Sequence, residues 1–269
     1  MSNIYRGALI VVVAASAPSP SNSLLRVKSQ SDRSRTWRTA SMIRYKEMDL
    51  DVKFRKRSNE AHHSTLAIIG TPIVERGWCF QEKLLASRCL VFLDDEVVWE
   101  CQSCCLCECG GKQKHFHSES TRMSPYFADA EAAYTFWESA VQIFSLRALK
   151  YETDRLPAIS AIALIVAEAT GDRYLAGLWR DDLLAGLSWL AHTVRDDPRP
   201  HQKYIAPSWS WASLPRGVNY DSWRTERDVD LDASVLDAWT TWEGQNPYGP
   251  VSDAAVVLSG FHCDAELTT

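Results

Sequence analysis

The residues best suited to chemistry are the cysteines and histidines between positions 101 and 117. Thiolates two residues apart can bind one ion, and Zn²⁺ takes four nitrogen, oxygen or sulfur ligands in a tetrahedron. The segment therefore offers a candidate zinc site with ligands drawn from Cys101, Cys104, Cys107, Cys109, His115 and His117. Its crowded spacing departs from standard zinc modules. The alternative is a cysteine-rich turn whose thiols pack as small hydrophobic groups.

Glu82 is the candidate catalytic residue, because it lies close to Trp78 in the sequence. A carboxyl group buried beside aromatic side chains has a raised pKa and can act as a general acid or base. The alternative is an exposed glutamate on a helix surface, paired with Arg76, Lys83 or Arg88.

Several function classes lack support in the sequence. It contains no P-loop, no Gly-x-Gly-x-x-Gly, no Gly-x-Ser-x-Gly and no His-Glu-x-x-His motif. The formal net charge of −5 predicts no general attraction to nucleic acid. No run reaches the roughly 20 apolar residues of a membrane helix. Five of the eight cysteines crowd between positions 101 and 109, which favours a reducing compartment over a disulfide framework.

One apolar run, Ala8–Ala17, has two interpretations. With Arg6 before it and Ala-Ser-Ala near Pro18, it is similar to a secretory signal peptide. The alternative is a buried strand, because Ile10 to Val13 are all β-branched.

Tryptophan is in excess, with 11 residues against 9 tyrosines and 8 phenylalanines. The alternation in Pro207-Ser-Trp-Ser-Trp211 predicts a strand with one buried face; base or sugar stacking is the alternative. Core positions are predicted at Trp78, Leu84, Phe92, Trp99, Trp137, Val141, Ile159, Trp179, Trp209 and Trp211.

The elements that must position these residues follow from periodicity and breaker residues. A strand is predicted in residues 1–17, a helix from Trp78 onward, and a hairpin over residues 89–101. Further helices are predicted over 129–148, up to about Thr170, and over 180–190. Asp129 is the predicted N-cap of the first, and Gly171 the predicted C-terminal stop of the second. An apolar stripe is predicted on the first helix, at Ala133, Phe136, Trp137, Ala140, Val141 and Phe144. Later strands are predicted within 218–237 and over 254–260. Residues 26–57, with eleven basic against four acidic side chains, predict a solvated connection rather than a nucleic-acid patch.

Several of these strings together resemble the heterokaryon incompatibility (HET) domain proteins of filamentous fungi. The most specific are Arg76-Gly77-Trp78-Cys79-Phe80-Gln81-Glu82 and Pro207-Ser208-Trp209-Ser210-Trp211-Ala212-Ser213. Cys79 stands where the family more often has threonine. The other motif positions are Arg88, Trp99, Cys101, Asp154 and Arg155, within strings spread over residues 1–213.

The resemblance implies a mixed α/β to α+β fold. The expected regions are the end of the HET core (1–25), the basic connection (26–64), the Arg-Gly-Trp motif with hairpin and cysteine-rich turn (65–117), a helical region (118–200) and a strand-rich end (201–269). Relatives usually begin upstream with a Leu-Ser-Tyr-x-Trp-Gly strand. The chain is therefore expected to be a partial HET protein, and Ala8–Ala17 an internal strand rather than a signal peptide.

The functional implication of the resemblance is non-self recognition leading to cell death when incompatible hyphae fuse. Protein partners are expected, with no membrane or nucleic-acid partner and a cytoplasmic location. HET domains are distantly similar to TIR domains, some of which cleave NAD with a glutamate, so an NAD-cleaving activity with Glu82 is the enzymatic alternative. A zinc-stabilised interaction module is the third.

Overall fold

The computed structural model describes residues 2–19, 21, 38–45, 48–54, 71–93, 97–101, 104–107, 127–191, 203–215, 217–220 and 233–261. The α-helices are α1 (Ser2–Gly7), α2 (Pro72–Glu75), α3 (Gly77–Leu85), α4 (Ala130–Ser145), α5 (Ser160–Thr170) and α6 (Leu183–Gly186). The strands are β1 (Val11–Ala14), β2 (Arg38–Tyr45), β3 (Met48–Phe54), β4 (Arg88–Phe92), β5 (Val97–Cys101), β6 (Cys105–Cys107), β7 (Tyr174–Leu175), β8 (Leu178–Trp179), β9 (Trp189–Ala191), β10 (Val218–Tyr220), β11 (Ala233–Trp242) and β12 (Val251–Gly260). The mixed α/β fold class is confirmed.

The described residues form two compact units. The sheet unit draws on Ser2–Glu75 and Lys83–Arg122, and the helical unit on Arg76–Glu82 and Met123–Thr269. The boundary between them falls inside α3. The Arg-Gly-Trp motif belongs to the helical unit, and the hairpin after it belongs to the sheet unit. The regions expected from the sequence stay predictions.

The sheet unit is built on a four-stranded sheet in the order β1-β4-β5-β6. β1 runs parallel to β4, and the other pairs are antiparallel. Successive side chains of a strand point to opposite faces of the sheet, and one face carries the core. That core comprises Val13, Ala15, Cys89, Val91, Leu93 and Val98. The predicted hairpin is confirmed as β4 and β5.

The apolar run at the start of the chain contains a strand of this sheet. Val11 pairs with Cys89, and Val13, which is buried, pairs with Val91. The prediction of a strand in residues 1–17 needs one correction, because Ser2–Gly7 is helical. The β-branched residues that favour a strand begin only at Ile10, after Gly7.

Part of the basic segment has regular structure. β2 and β3 pair antiparallel from Arg38 opposite Phe54 to Tyr45 opposite Met48, with an irregularity between Ala40 and Ile43. Residues 26–64 thus contain a hairpin where the sequence predicts only a connection. Its strands follow no sustained alternation of apolar and polar residues, the pattern by which a strand is predicted from sequence.

The helical unit centres on α4 and α5. The Asp129 carboxylate accepts a hydrogen bond from Ala132 N at 2.8 Å, so it caps α4 as predicted. The predicted stripe on α4 is buried except at Phe136, which is half-buried. α5 ends at Gly171, whose φ of 72° is left-handed and which was the predicted stop. Both helix predictions are confirmed.

Two predictions in this unit are wrong. Residues 180–190 form only the short α6, because Trp189–Ala191 leaves the helix to pair with Val218–Tyr220 as a strand. The Trp-Ser-Trp segment forms turns and a 3₁₀ helix over Trp211–Ser213 rather than a strand. Ser210 Oγ accepts from Ala212 N at 3.1 Å, and such a local side-chain bond competes with a strand ladder.

The predicted core is half right. Trp137, Val141, Ile159, Trp179 and Trp211 are at most 1% exposed. The other five predicted core residues are only half-buried: Trp78, Leu84, Phe92, Trp99 and Trp209. A predicted last strand, Ala254–Gly260, is confirmed within β12, which pairs with β11 in a two-stranded hairpin.

Candidate functional site

The Arg-Gly-Trp segment is held in the helical unit by contacts with residues far along the chain. Trp78 Nε1 donates to Asp154 Oδ2 at 2.9 Å, and Gln81 Oε1 accepts from Ala161 N at 3.2 Å. Gln81 is 3% exposed, so its amide satisfies an N–H in the first turn of α5 that has no partner within the helix. Trp78 and Gln81 therefore fix the start of α3 against the Asp154-Arg155 string and α5.

Gly77 has a steric role in the same segment. Its N–H donates to Ala148 O at 2.8 Å, and a Cβ built on it would lie 2.4 Å from Leu149 Cδ2. Because real Cβ atoms do not approach that closely, a larger residue would push α3 away from residues 148 and 149. Arg76, which precedes it, is exposed and forms an isolated bridge with Ala148.

Two buried tryptophans meet at one backbone carbonyl. Trp137 Nε1 and Trp211 Nε1 each donate to Gly177 O at 2.9 Å. Ser210 Oγ donates to the neighbouring Ala176 O at 2.5 Å. The turn between β7 and β8 is thus tied to α4 and to the Trp-Ser-Trp segment at once. We call Trp137, Ala176, Gly177, Ser210 and Trp211 the indole cluster.

The turn at the centre of the indole cluster needs glycine. Gly177 has φ of 103°, and a Cβ on it would lie 2.6 Å from Trp211 Nε1. Both a left-handed backbone and the close indole therefore exclude a side chain.

Arg155 is buried beside this cluster, with 4% of its surface exposed. Its guanidinium carbon lies 5.3 Å from the centroid of the Trp211 ring, within cation–π range. Burial lowers the pKa of Arg155 to about 10. Its place in the interior makes it a structural residue of this unit rather than an exposed binding group.

Glu82, the candidate catalytic residue, is half-buried next to a buried thiol. Burial raises the pKa of Cys79, Arg76 lowers it, and the charge of Glu82 and its side-chain hydrogen bond to Cys79 raise it. Lys83, one predicted partner of Glu82, instead pairs with Glu100 at 3.1 Å. The carboxylate thus has a defined neighbour in Cys79, and its catalytic role stays a prediction.

Arg147 is a member of this site that the sequence analysis missed. Its guanidinium carbon lies 4.7 Å from the centroid of the Phe80 ring, and its charge acts on Cys79. Burial lowers its pKa to about 10. No motif marks Arg147; its position near the end of a strongly amphipathic helix is the only signal in the sequence.

The cysteine-rich turn lies in the sheet unit. Cys101 Sγ and Cys104 Sγ are 3.5 Å apart, and Cys101 N donates to Cys104 O at 2.9 Å. Cys107 lies opposite Val98 on β5, and Cys105 packs at the margin of the sheet core. Among the described residues, no three His, Cys, Asp or Glu side chains are placed to hold a metal ion. Cys109, His115 and His117 lie outside those residues, so the zinc site stays a prediction.

The remaining motif residues take structural positions. Arg88 is exposed and lies opposite Cys101 across β4 and β5, whereas Trp99 is half-buried opposite Leu90. Pro207 is buried and its carbonyl accepts from Ser210 N at 2.9 Å. Trp209 O accepts from Trp189 Nε1 at 2.9 Å.

The family model "Heterokaryon incompatibility protein (HET)" matches residues 1–82. Residues 1–82 are therefore similar to the HET family. The HET match ends at Glu82, so it includes β1 and the whole Arg76–Glu82 segment that Asp154 and Ala161 hold in the helical unit. No curated protein and no solved structure matches the chain.

The HET match leaves the later strings without a family counterpart. The Asp154-Arg155 and Trp-Ser-Trp strings lie beyond residue 82, so their family origin stays a prediction. Asp154 nevertheless accepts a hydrogen bond from Trp78, which lies within the matched residues. Within the described part of the chain, every helix is too short or too polar to cross a bilayer.

Proposed function

We propose that this protein acts in fungal non-self recognition, as a protein-binding component of the incompatibility response that leads to regulated cell death. The observation that carries the proposal is the HET match over residues 1–82, which includes the Arg76–Glu82 segment. The net charge of −5 and the absence of common nucleotide-binding signatures favour a protein partner over nucleic acid or nucleotide.

The motif residues support interaction more than catalysis. Trp78 Nε1, Gln81 Oε1 and Trp211 Nε1 form hydrogen bonds to the protein's own backbone or to Asp154, at 2.9 to 3.2 Å. Groups used in this way hold elements in place and are not available to a substrate. They would preserve the shape of a surface that a partner recognises.

We further propose a cytoplasmic location. β1 forms four register pairs with β4, and Val13 and Ala15 are buried in the sheet core. Removal of the Ala8–Ala17 run by a signal peptidase would take away this strand and expose β4. A fluorescent protein fused to the C-terminus should therefore fill the cytoplasm of a hypha, whereas secretory compartments would carry the signal if the run were a signal peptide.

The test is inducible expression of the full chain in a filamentous fungus, with uptake of a vital dye by hyphal cells as the measure of death. The proposal expects dye uptake and growth arrest after induction. Growth at the uninduced rate, with the protein present in the soluble fraction, would contradict it.

A matched variant, Glu82→Gln, separates interaction from the NAD-cleaving alternative. The substitution keeps the shape and a hydrogen-bonding group beside Cys79 and removes the carboxylate. We expect Glu82→Gln to kill as the unchanged chain does, with cellular NAD unaltered before death begins. Loss of both killing and NAD consumption in a folded Glu82→Gln protein would favour the enzyme instead.

A further inference from the structure

The cysteine-rich turn contains a pair of sulfur atoms placed to react with each other. Cys101 ends β5 and Cys104 directly precedes β6, and their Sγ atoms lie 3.5 Å apart. Both side chains are half-buried, unlike Cys79 and Cys89, which are buried. A small solute can therefore reach the pair.

The backbone at the turn already fits a disulfide. Cys101 N donates to Cys104 O at 2.9 Å, next to the ladder pair Glu100 and Cys105. Hydrogen-bonded antiparallel pairs place their Cα atoms about 5.5 Å apart. Disulfides span Cα separations of roughly 4.4–6.8 Å, so bond formation needs side-chain rotation and little movement of the strands.

We propose that Cys101 and Cys104 form a reversible dithiol–disulfide site that exchanges with low-molecular-weight disulfides such as glutathione disulfide. This inference goes beyond the proposed role in non-self recognition and does not depend on it. It differs from a zinc site, because it uses only these two sulfurs and no metal.

The exchange proceeds in two displacements. One thiolate of the pair attacks a sulfur of glutathione disulfide, forming a mixed disulfide and releasing one glutathione thiolate, which takes up a proton. The second thiolate of the pair then attacks the protein sulfur of that mixed disulfide and releases the second glutathione. The pair loses two electrons and two protons as one S–S bond forms, and glutathione disulfide is reduced to two thiols.

Reversibility follows from the size of the ring. A disulfide stabilises a protein chiefly by restricting its unfolded chain, and the restriction grows with the number of residues enclosed. Here the bond encloses only residues 101–104, so its stabilisation is small and glutathione can reduce it again. The site would therefore follow the glutathione redox balance of the compartment.

The test uses the full-length protein, treated with EDTA and incubated over a series of glutathione disulfide to glutathione ratios. After acid quenching, remaining thiols are alkylated and the chain is cut after glutamate. Cleavage after Glu100 and Glu108 isolates a peptide that contains Cys101, Cys104, Cys105 and Cys107. In the variant Cys105→Ser/Cys107→Ser the same peptide contains only the proposed pair.

As the ratio of glutathione disulfide to glutathione rises, we expect the peptide of Cys105→Ser/Cys107→Ser to change from carrying two alkyl groups to carrying none. Its mass without alkyl groups should be two hydrogens below that of the dithiol. Fragmentation of the unchanged protein's peptide should place its disulfide between Cys101 and Cys104. Cys104→Ser should instead accumulate one glutathionyl group on Cys101. Two alkyl groups on the variant peptide at every ratio, a persistent glutathione adduct without ring closure, or a bond from Cys101 to another cysteine in the unchanged protein would each overturn the proposal.

Discussion

Trp78 Nε1 donates a hydrogen bond to Asp154 Oδ2 at 2.9 Å, joining two motif residues that are 76 positions apart. The bond links a residue within the HET match to a residue beyond it. Because its acceptor is a carboxylate, it is stronger than a bond between neutral groups. The position of the Arg-Gly-Trp segment therefore depends on Asp154, which precedes α5 in the chain.

The first prediction concerns this bond. Trp78→Phe should lower the free energy of unfolding by about 1.5–3 kcal/mol, the range for hydrogen bonds to charged groups. Asp154→Ala should cost a similar amount, and the double variant should cost less than the sum, because each single change already removes the bond. Urea titration of the four proteins measures this coupling.

Trp242→Phe is the control for the first prediction, since Trp242 is 50% exposed and undergoes the same chemical change. It should alter stability by under about 0.5 kcal/mol. Strict additivity of Trp78→Phe and Asp154→Ala would show that the 2.9 Å contact contributes no stability.

A second prediction compares two left-handed glycines. Gly177→Ala should cost more than about 3 kcal/mol, because backbone strain adds to the clash with Trp211 Nε1. Gly171→Ala, at φ of 72° with no atom within 4 Å of the added Cβ, should cost only about 1 kcal/mol. Thermal unfolding of both variants tests the difference. Equal losses of stability would mean that the Trp211 indole moves aside at no cost.

A third prediction concerns a buried hydroxyl on α4. Val218 N donates to Ser145 Oγ at 2.9 Å, and Ser145 is 3% exposed. Ser145→Ala should destabilise the chain by about 1–3 kcal/mol, because it leaves a buried N–H without a partner.

The matched control for Ser145 lies on the same helix. Ser139 Oγ donates only to Thr135 O of its own helix at 3.0 Å, so Ser139→Ala should be neutral or slightly stabilising. Denaturant midpoints report both variants. Equal denaturant midpoints of Ser145→Ala and Ser139→Ala would contradict the prediction, and would mean that a water molecule replaces the Ser145 hydroxyl at Val218 N.

The fourth prediction is a pH dependence. Burial raises the pKa of Cys79 above its unfolded value. The folded state therefore holds the proton more tightly than the unfolded state, and this contribution is complete below the unfolded pKa of about 8.5. It is lost as pH rises through the higher pKa of the folded protein.

Cys79→Ala removes this titration. Between pH of about 8 and 10, the free energy of unfolding should fall less steeply with pH in the variant than in the unchanged chain. Chemical unfolding at several pH values measures the two slopes. Parallel slopes would show that the Cys79 thiol titrates alike in both states.

Helices α4 and α5 were predictable from the sequence because their signals are local. Asp129 caps α4 and Gly171 ends α5, and each acts on residues within one turn. The hairpin of β4 and β5 was also predictable, since two short apolar runs flank the Asp94-Asp95 pair in the sequence. Such features depend on neighbours in the chain.

For the candidate site, the sequence predicted residues that take part but not the contacts that they make. Trp211 was expected in the core, yet its segment is not a strand, because Ser210 bonds to Ala176 and to Ala212. No sequence motif marks Arg147 near Cys79 or Ser145 against Val218. These contacts arise from the packing of elements far apart in sequence, and residue patterns do not encode them.

The bond between Gln81 and Ala161 has a consequence for synthesis of the protein. The two residues are 80 positions apart. At about 5–20 residues per second, a ribosome needs roughly 4–16 s to make the chain between them. During that interval the Arg-Gly-Trp segment leaves the ribosome without the partners that bury Gln81 and Phe80. We therefore expect chaperones to bind the nascent Arg-Gly-Trp segment. Slow codons between Gln81 and Ala161 would lengthen the time for which it needs them.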